Sequence, residues 1–234
     1  MLASMLSGFK ASVQSELNGF FANLANRADL FHHVSSQAFS QARKNFSHTA
    51  FADLNDHLLS LVQTELRVPT WHGLRVVAAD GSKVRLFLND VTKRCMQEAM
   101  FFALYLPGME LTLSAELYSS KVGERQMLFE HLNKLRQNDL LVLDRGYPSI
   151  WLMAYLTQQA IHFCMRTDNT GFSQVKKFMR SDITTQVVTL RSPKAADCDN
   201  YGCRPEETTV RLVRVVTPSG RIQVLITSLL DTEC

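Results

Sequence analysis

No apolar run in the sequence approaches the roughly 20 residues that a membrane-spanning helix needs. The N-terminus, MLASMLSGFKASVQSELNGF, lacks the basic start and unbroken apolar region of a secretory signal. The chain has only five cysteines, an odd number without the spacing of a disulfide framework, which indicates reduced thiols. Cys198 and Cys203 are close, but no second Cys/His pair stands at zinc-ligand spacing. We therefore expect a cytoplasmic protein without a membrane partner.

Signatures of several enzyme classes are also missing. The sequence has no Gly-x-Ser-x-Gly element of a serine hydrolase. A phosphatase with a nucleophilic Asp would need that Asp two residues before Asp80, where Ala78 stands. A sugar-kinase-like phosphate loop would need a residue between Asp80 and Gly81, and there is none. These absences disfavour a serine hydrolase, a phosphatase with a nucleophilic aspartate and a sugar-kinase-like enzyme.

The charge of the chain is modest and unevenly placed. The 234 residues are 46% hydrophobic and 20% charged, with a net charge of +3, which suits a globular protein with a sizeable core. Residues 166–223 hold ten basic against six acidic side chains, so the positive excess lies in the last third. This bias permits a polyanionic partner, while a mixed solvated surface explains it equally well.

Residues 1–70 predict a helical region. Leu17, Phe20, Phe21 and Leu24 recur at the spacing of one helix face. A second helix is predicted after Ser35 or Ser36, either of which suits an N-cap. Its expected inward side chains are Phe39, Ala42, Phe46 and Phe51, and its expected outward side chains are Gln41, Arg43, Lys44 and Asn45. The outward group could enter a DNA groove or could be the solvated face of a small bundle.

From residue 71 onward the pattern predicts an α/β domain. Pro69 and Gly73 mark a boundary near residue 70. LRVVAADGSKVRLFL predicts a strand bent at Gly81, and the following segments predict strand, strand, helix, strand, helix, strand in that order. Such an order indicates a mixed sheet with helices on its faces, in which the apolar run of DLLVLD is buried on both faces. After Arg166 the pattern is β-rich, with a hairpin turn at Thr217–Gly220.

Two aspartates stand at informative places in the predicted sheet. Asp80 lies late in the first strand and Asp144 ends the fourth, so we expect them to be neighbours at one sheet end. Paired carboxylates repel unless a cation lies between them, and Mg²⁺ prefers carboxylates, water and phosphate oxygens. Gly146 would let the backbone turn, and Arg145 and Tyr147 would face a phosphate backbone. The alternative is ordinary turn or capping chemistry at both aspartates, and the spacing alone leaves it open.

These motifs together resemble a family of bacterial insertion-sequence transposases of the DDE class, over roughly residues 35–231. The resemblance lies in SSQAFSQARKNF, WHGLRVVAADGSKVRL, GERQMLFEHLNKLRQNDLLVLDRGYPSIWLMAYL and HFCMR. The family has a ribonuclease H-like catalytic fold, and the branch in question carries its glutamate in a Tyr-Arg-Glu-Lys signature. The resemblance implies an α/β fold: a ribonuclease H-like mixed sheet with flanking helices, an N-terminal helical region and a β-rich insertion at about 172–226.

The resemblance also implies a function. Asp80 and Asp144 would be catalytic acids that bind Mg²⁺ or Mn²⁺ for DNA cleavage and strand transfer. Residues 1–70 would bind double-stranded DNA, at transposon ends or target. The expected DNA contacts are Gln41, Arg43, Lys44, Asn45, Arg145, Tyr147 and Arg166. The protein would be bacterial and nucleoid-associated, as a homodimer or a dimer with a full-length transposase.

The sequence departs from the family at its end. A strand like VLITSLLD is followed in the family by the helix that carries the glutamate, and no Tyr-x-x-Arg-x-x-x-Glu pattern occurs after Asp144. Glu206 and Glu207 lie in the predicted insertion, and Glu233 has no helix to hold it. We therefore expect a chain truncated before the third acid and inactive alone. The alternative expectation is a truncated DNA-binding regulator or inhibitor of transposition.

Overall fold

The computed structural model describes residues 5, 10–24, 34–65, 67–89, 94–167 and 171–231. The chain forms two compact units, Met1–Asp56 and His57–Cys234. The division between them falls inside a helix that extends from Thr49 to Glu65. The predicted functional boundary near residue 70 stays a prediction.

The N-terminal part of the chain is helical over its described residues. Ser35 caps the second helix, because its Oγ accepts a hydrogen bond of 3.1 Å from the backbone N–H of Ala38. This satisfies one of the free donors at the start of the helix and sets its first residue. The helices are α1 (Val13–Leu24), α2 (Ser36–Lys44) and α3 (Thr49–Glu65).

The predicted inward side of α2 is confirmed only in part. Phe39 is buried, and the rings of Phe46 and Phe51 meet edge to face with their centroids 6.0 Å apart. Ala42 is exposed, so its predicted inward position is wrong. It lies in the last turn of a nine-residue helix, and that turn is left uncovered.

The rest of the described chain builds one eight-stranded mixed sheet, in the order β3-β2-β1-β4-β5-β8-β7-β6. Parallel pairs join β1 to β4 and β4 to β5, and the remaining neighbours are antiparallel. The strands are β1 (Arg75–Asn89), β2 (Arg94–Leu106), β3 (Leu111–Ser119), β4 (Asp139–Leu143), β5 (His162–Thr167), β6 (Thr185–Leu190), β7 (Thr208–Val216) and β8 (Ile222–Thr227). The helices between them are α4 (Glu124–His131), α5 (Ile150–Gln158), α6 (Ser173–Met179) and α7 (Ala195–Tyr201).

This architecture confirms the predicted fold class, an α/β mixed sheet with flanking helices, a helical N-terminal region and a β-rich segment towards the C-terminus. The three strands of that segment, β6 to β8, extend the same sheet beyond β5. Two short helices lie in the same part of the chain, α6 before β6 and α7 between β6 and β7. The predicted hairpin turn at Thr217–Gly220 joins β7 to β8. There the N–H of Gly220, at a φ of 75°, donates to the carbonyl of Thr217 over 2.8 Å.

The two faces of the central strands differ in burial. Val77 and Leu141 pair across β1 and β4 and are fully buried on the face that carries the main core. Ala78 and Val142 pair on the opposite face, where Val142 is 39% exposed. Leu140, on the same face as Val142, is buried, so the prediction that β4 is buried on both faces holds at Leu140 and is wrong at Val142. An apolar run does not reveal which face lacks a covering element.

Strand β1 also differs from its predicted shape. It continues without interruption through Asp80 and Gly81, which pair with Ala103 and Phe102 of β2. The predicted bend at Gly81 is wrong, and so is the alternative that Asp80-Gly81 forms a turn. Twelve consecutive pairs with β2 hold the strand extended despite a dipeptide that is common in turns.

Candidate functional site

The two aspartates stand beside each other on neighbouring parallel strands. The last pair in the register of β1 with β4 joins Ala79 to Leu143. Asp80 and Asp144 are the next residues of these strands, and both are exposed. The sheet therefore brings together two carboxylates from distant parts of the chain, as the sequence predicts.

Asp144 is already engaged by cationic and backbone donors. Its Oδ1 lies 2.5 Å from Nε of Arg166, and its Oδ2 accepts a 2.7 Å hydrogen bond from Nη2 of the same guanidinium. The backbone N–H of Arg145 also donates to Oδ1 over 2.7 Å. Burial alone would raise the pKa of Asp144, but the Arg145 N–H and the Arg166 guanidinium outweigh it and lower this pKa below its usual value. Asp144 is therefore a carboxylate at neutral pH.

A third carboxylate, that of Glu124, reaches the same place from the first turn of α4. A Cβ placed on Gly146 would lie 2.2 Å from its Oε2, and a Cβ placed on Gly81 would lie 3.6 Å from its Cγ. The side chain of Glu124 thus extends between β1 and the loop that follows β4. At position 146 only a residue without a side chain leaves this space open to Glu124, whereas a Cβ at position 81 would make ordinary contacts.

Arg125, the next residue along α4, ties this helix to the same loop. Its Nε donates to the carbonyl oxygens of Gly146 and Tyr147, both over 3.1 Å. The Glu-Arg and Asp-Arg-Gly-Tyr motifs therefore meet in space. Glu124 and Arg125 were missed as residues near Asp144, because nothing in the local sequence links the start of α4 to the loop after β4.

Tyr147 does not face DNA as predicted. Its side chain is buried, with 1% of its surface exposed, because the turn after Asp144 directs the ring into the core. Its hydroxyl has no hydrogen-bond partner within the described residues. Burial raises the pKa of Tyr147, and the charges of Glu124, Asp80 and Asp144 raise it further.

A basic groove adjoins Asp144. Its volume is about 480 Å³, and its lining includes Arg145, Arg166 and Arg221. Guanidinium groups bind phosphate oxygens with two parallel hydrogen bonds, so the groove suits a polyanion. Arg145 and Arg166 lie where the prediction requires, at the carboxylate site. Arg221, from the hairpin between β7 and β8, was missed because it is distant in sequence from both motifs.

The four predicted DNA contacts of the N-terminal unit lie together on α2 and at its end. Gln41, Arg43, Lys44 and Asn45 are all exposed. Arg43 and Lys44 occupy the last turn of the helix, where positive charge also stabilises the helix dipole. The four side chains are available to a partner, and their role in DNA binding stays a prediction.

The site fits a hard divalent cation in its chemistry. Its donors are carboxylate oxygens, which Mg²⁺ and Mn²⁺ prefer. The carboxylates of Asp80 and Glu124 form no ion pair with any residue in the described ranges. Among those residues no three His, Cys, Asp or Glu side chains stand close enough to enclose an ion as they are placed. Asp144 points to Arg166 instead, so closure around an ion requires this ion pair to open.

Comparison with known proteins gives a likeness in fold only. No family model and no curated protein matches the chain. Among solved structures, the crystal structure of the NurA nuclease from Sulfolobus solfataricus aligns over 86% of this chain and 83% of that one, at 10% identity and a TM-score of 0.34. Separately, none of the helices in the described ranges has the length and apolar character needed to cross a membrane.

Proposed function

We propose that the chain is a DNA transposase of the DDE class, acting on phosphodiester bonds with Asp80 and Asp144 as metal-binding acids. One observation carries the proposal: the parallel register of β1 and β4 sets these two aspartates side by side, and both are exposed. The order of the motifs that resemble the insertion-sequence transposases adds support. The fold, with a mixed sheet built around β1 and β4, agrees with it.

Each group at the site has a role in this proposal. When bound, Mg²⁺ ions would activate a water and stabilise the leaving oxygen of a phosphodiester. Asp80 and Asp144 would hold these ions with their carboxylate oxygens. Arg145 and Arg166 would bind the phosphates beside the scissile bond, because they line the groove next to Asp144. The exposed α2 side chains Gln41, Arg43, Lys44 and Asn45 would contact duplex DNA.

The direct test is nicking of supercoiled plasmid DNA by the purified chain with Mn²⁺. The sequence by itself predicts an inactive chain, because the glutamate of the Tyr-Arg-Glu-Lys signature is missing. The paired aspartates lead us to expect nicked product with the wild type nonetheless, and none with Asp80→Asn or Asp144→Asn. Glu98→Gln is the control, because it removes an exposed carboxylate paired with Arg85 on the sheet and outside the site. Equal nicking by the wild type and both aspartate variants would refute the proposal.

A second candidate function is a DNA-binding regulator that occupies transposon ends without cutting them. The observation that favours it is the occupied state of Asp144, whose two oxygens both contact Arg166. Retarded migration of duplex DNA without nicking, unchanged by Asp80→Asn, would support this function. Weaker binding by Arg43→Ala and Lys44→Ala, with a smaller salt dependence than the wild type, would then identify α2 as the binding element.

A further inference from the structure

We propose that Cys198 and Cys203 form an oxidisable dithiol at the end of α7. A disulfide of a small thiol, such as oxidised glutathione, would convert this pair into an intrachain disulfide. The inference goes beyond the proposed function and does not depend on it, because it uses neither the aspartates nor the basic groove.

The two sulfur atoms are already in contact. Their Sγ atoms are 3.8 Å apart, and the Cys203 thiol donates a weak hydrogen bond to the Cys198 sulfur. Both cysteines are free thiols. A disulfide bond is about 2.03–2.05 Å long, so closure requires an approach of about 1.8 Å, which rotation about the side-chain bonds can supply.

The backbone at the end of α7 brings the two residues together. The helix ends in a left-handed cap at Gly202, with a φ of 65°, whose N–H donates to the Cys198 carbonyl over 2.8 Å. Such a cap turns the chain back, so that the residue after the glycine meets the last turn of the helix. The next residue, Arg204, is fixed to Gln158 of α5. Its N–H donates to Oε1 over 2.8 Å, and Nε2 of Gln158 donates to its carbonyl oxygen over 3.1 Å.

Aromatic contacts hold the same segment on the core. The ring of Tyr201, between the two cysteines, stacks on Trp151 with the centroids 3.7 Å apart and an angle of 6°. It also meets Phe129 edge to face, with the centroids 5.0 Å apart. Two thiols held in this way have a high effective concentration for each other, which favours ring closure over reaction with a second small molecule.

The difference in burial predicts the order of the two steps. Cys198 is half-buried, whereas Cys203 is 5% exposed. The Cys198 thiolate therefore attacks the small disulfide first, releases one small thiol and becomes a mixed disulfide. The Cys203 thiol then loses its proton and attacks the Cys198 sulfur, which releases the second small thiol. In sum, two protein thiols and one small disulfide give one intrachain disulfide and two small thiols.

The surroundings of Cys203 favour the closed form once it has formed. Burial and the hydrogen bond to Cys198 raise the pKa of the Cys203 thiol. A dithiol becomes easy to keep reduced when its thiolate is stabilised, and here the thiolate is not, so the disulfide should resist reduction. The same shift makes exchange slow. A metal is a poorer ligand for this pair, because within the described ranges no third His, Cys, Asp or Glu joins the two sulfurs in a group that could hold an ion.

A simpler role for the two cysteines is an apolar contact at the helix end. Apolar side chains often meet at these two positions, and a free cysteine packs as a small hydrophobic residue. Alanine or valine would serve this role equally well. It predicts that the two thiols react independently of each other, whereas a dithiol site predicts that both are lost in one step.

The test equilibrates the folded full chain with graded ratios of oxidised to reduced glutathione and then alkylates the remaining thiols. No Lys or Arg lies between Cys198 and Cys203, so trypsin leaves both on one peptide, whose mass gives the number of free thiols. We expect this peptide to change from two alkyl groups to none, with an intrachain disulfide. Cys164, a free thiol on β5, is the internal control and should remain alkylated or take up glutathione.

The same titration in concentrated urea is the reference. Because the disulfide stabilises the fold, the fold stabilises the disulfide equally, and we expect the folded chain to close at a ratio about tenfold lower or less. Cys203→Ser should accumulate glutathione on Cys198 instead, and a thermal melt checks that this variant is folded. Glutathione on Cys198 as the main product of the wild type would overturn the proposal. Closure at the same ratio in the folded and the unfolded chain would also overturn it.

Discussion

Gly146→Ala tests the placement of Glu124 without a change of charge. The added Cβ would lie 2.2 Å from Oε2 of Glu124, and ordinary contact begins at 3.4 Å, so the carboxylate must retreat by about 1.2 Å. Bonds from carboxylate oxygen to Mg²⁺ are about 2.0–2.1 Å long and tolerate little deviation. A displacement of this size takes the Glu124 carboxylate away from the loop after Asp144 and should weaken any contribution it makes to cation binding.

The same substitution should leave the fold nearly unchanged. Gly146 has no positive φ, so alanine fits its backbone, and the colliding atom is the end of a flexible side chain. The loss of chain entropy in the unfolded state stabilises by about 0.4–1 kcal/mol. An unfavourable rotamer of Glu124 costs about 0.5–1.5 kcal/mol. The two effects oppose each other, and the free energy of unfolding should change by less than about 1 kcal/mol.

The assay pairs urea unfolding with Mn²⁺ titration of the full chain. We expect Gly146→Ala to bind Mn²⁺ as weakly as Glu124→Gln, and the double variant to show no further loss, because both changes remove one interaction. Gly171→Ala is the matched control, since a Cβ there meets nothing within 4 Å. Wild-type Mn²⁺ affinity in a folded Gly146→Ala protein would show that Glu124 does not contribute to cation binding beside Asp144.

Three further predictions concern charged groups of the sheet domain. Arg75→Ala should lower the free energy of unfolding in urea by about 3–5 kcal/mol, because it leaves a buried carboxylate without its cation. The Asp139 side chain is 2% exposed, and its two oxygens accept hydrogen bonds of 2.7 and 2.6 Å from the Arg75 guanidinium. A loss below about 1 kcal/mol would contradict this. Arg166→Gln should strengthen Mn²⁺ binding by freeing Asp144, with little effect on unfolding, and weaker binding would be the contrary result. Burial lowers the pKa of His131 below its usual 6.5, so the unfolded chain takes up the proton first and stability should fall as pH drops through 6.5 towards the folded pKa. Melting temperatures between pH 8 and pH 5 should therefore fall more for the wild type than for His131→Gln, and parallel curves would argue against this role of His131.

Local patterns in the sequence were sufficient for the elements and for the first pair of site residues. The apolar run of β4 followed by Asp144, the helical spacing around Leu17 and the N-cap at Ser35 each predict a feature that the structure has. These features could be predicted because each depends on only a few neighbouring residues. The spacing of apolar side chains sets the strand and the helix, and a side-chain hydrogen bond sets the helix start. The sequence also predicted Asp80 and Asp144 as neighbours. The structure places them side by side because the parallel pairing of β1 with β4 ends at Ala79 and Leu143, the residues just before them, although β1 itself continues to Asn89.

Only the tertiary structure decided which further side chains lie near Asp80 and Asp144 and which predicted ones do not. Glu124 and Gly146 lie on different elements, and their close approach depends on how α4 packs against the loop after β4. The burial of Tyr147 and the exposure of Val142 depend in the same way on which face of the sheet other elements cover. The residue types record preferences for water or for apolar surroundings. Distant contacts, which set the final burial and the pairing of charges, are absent from any local pattern.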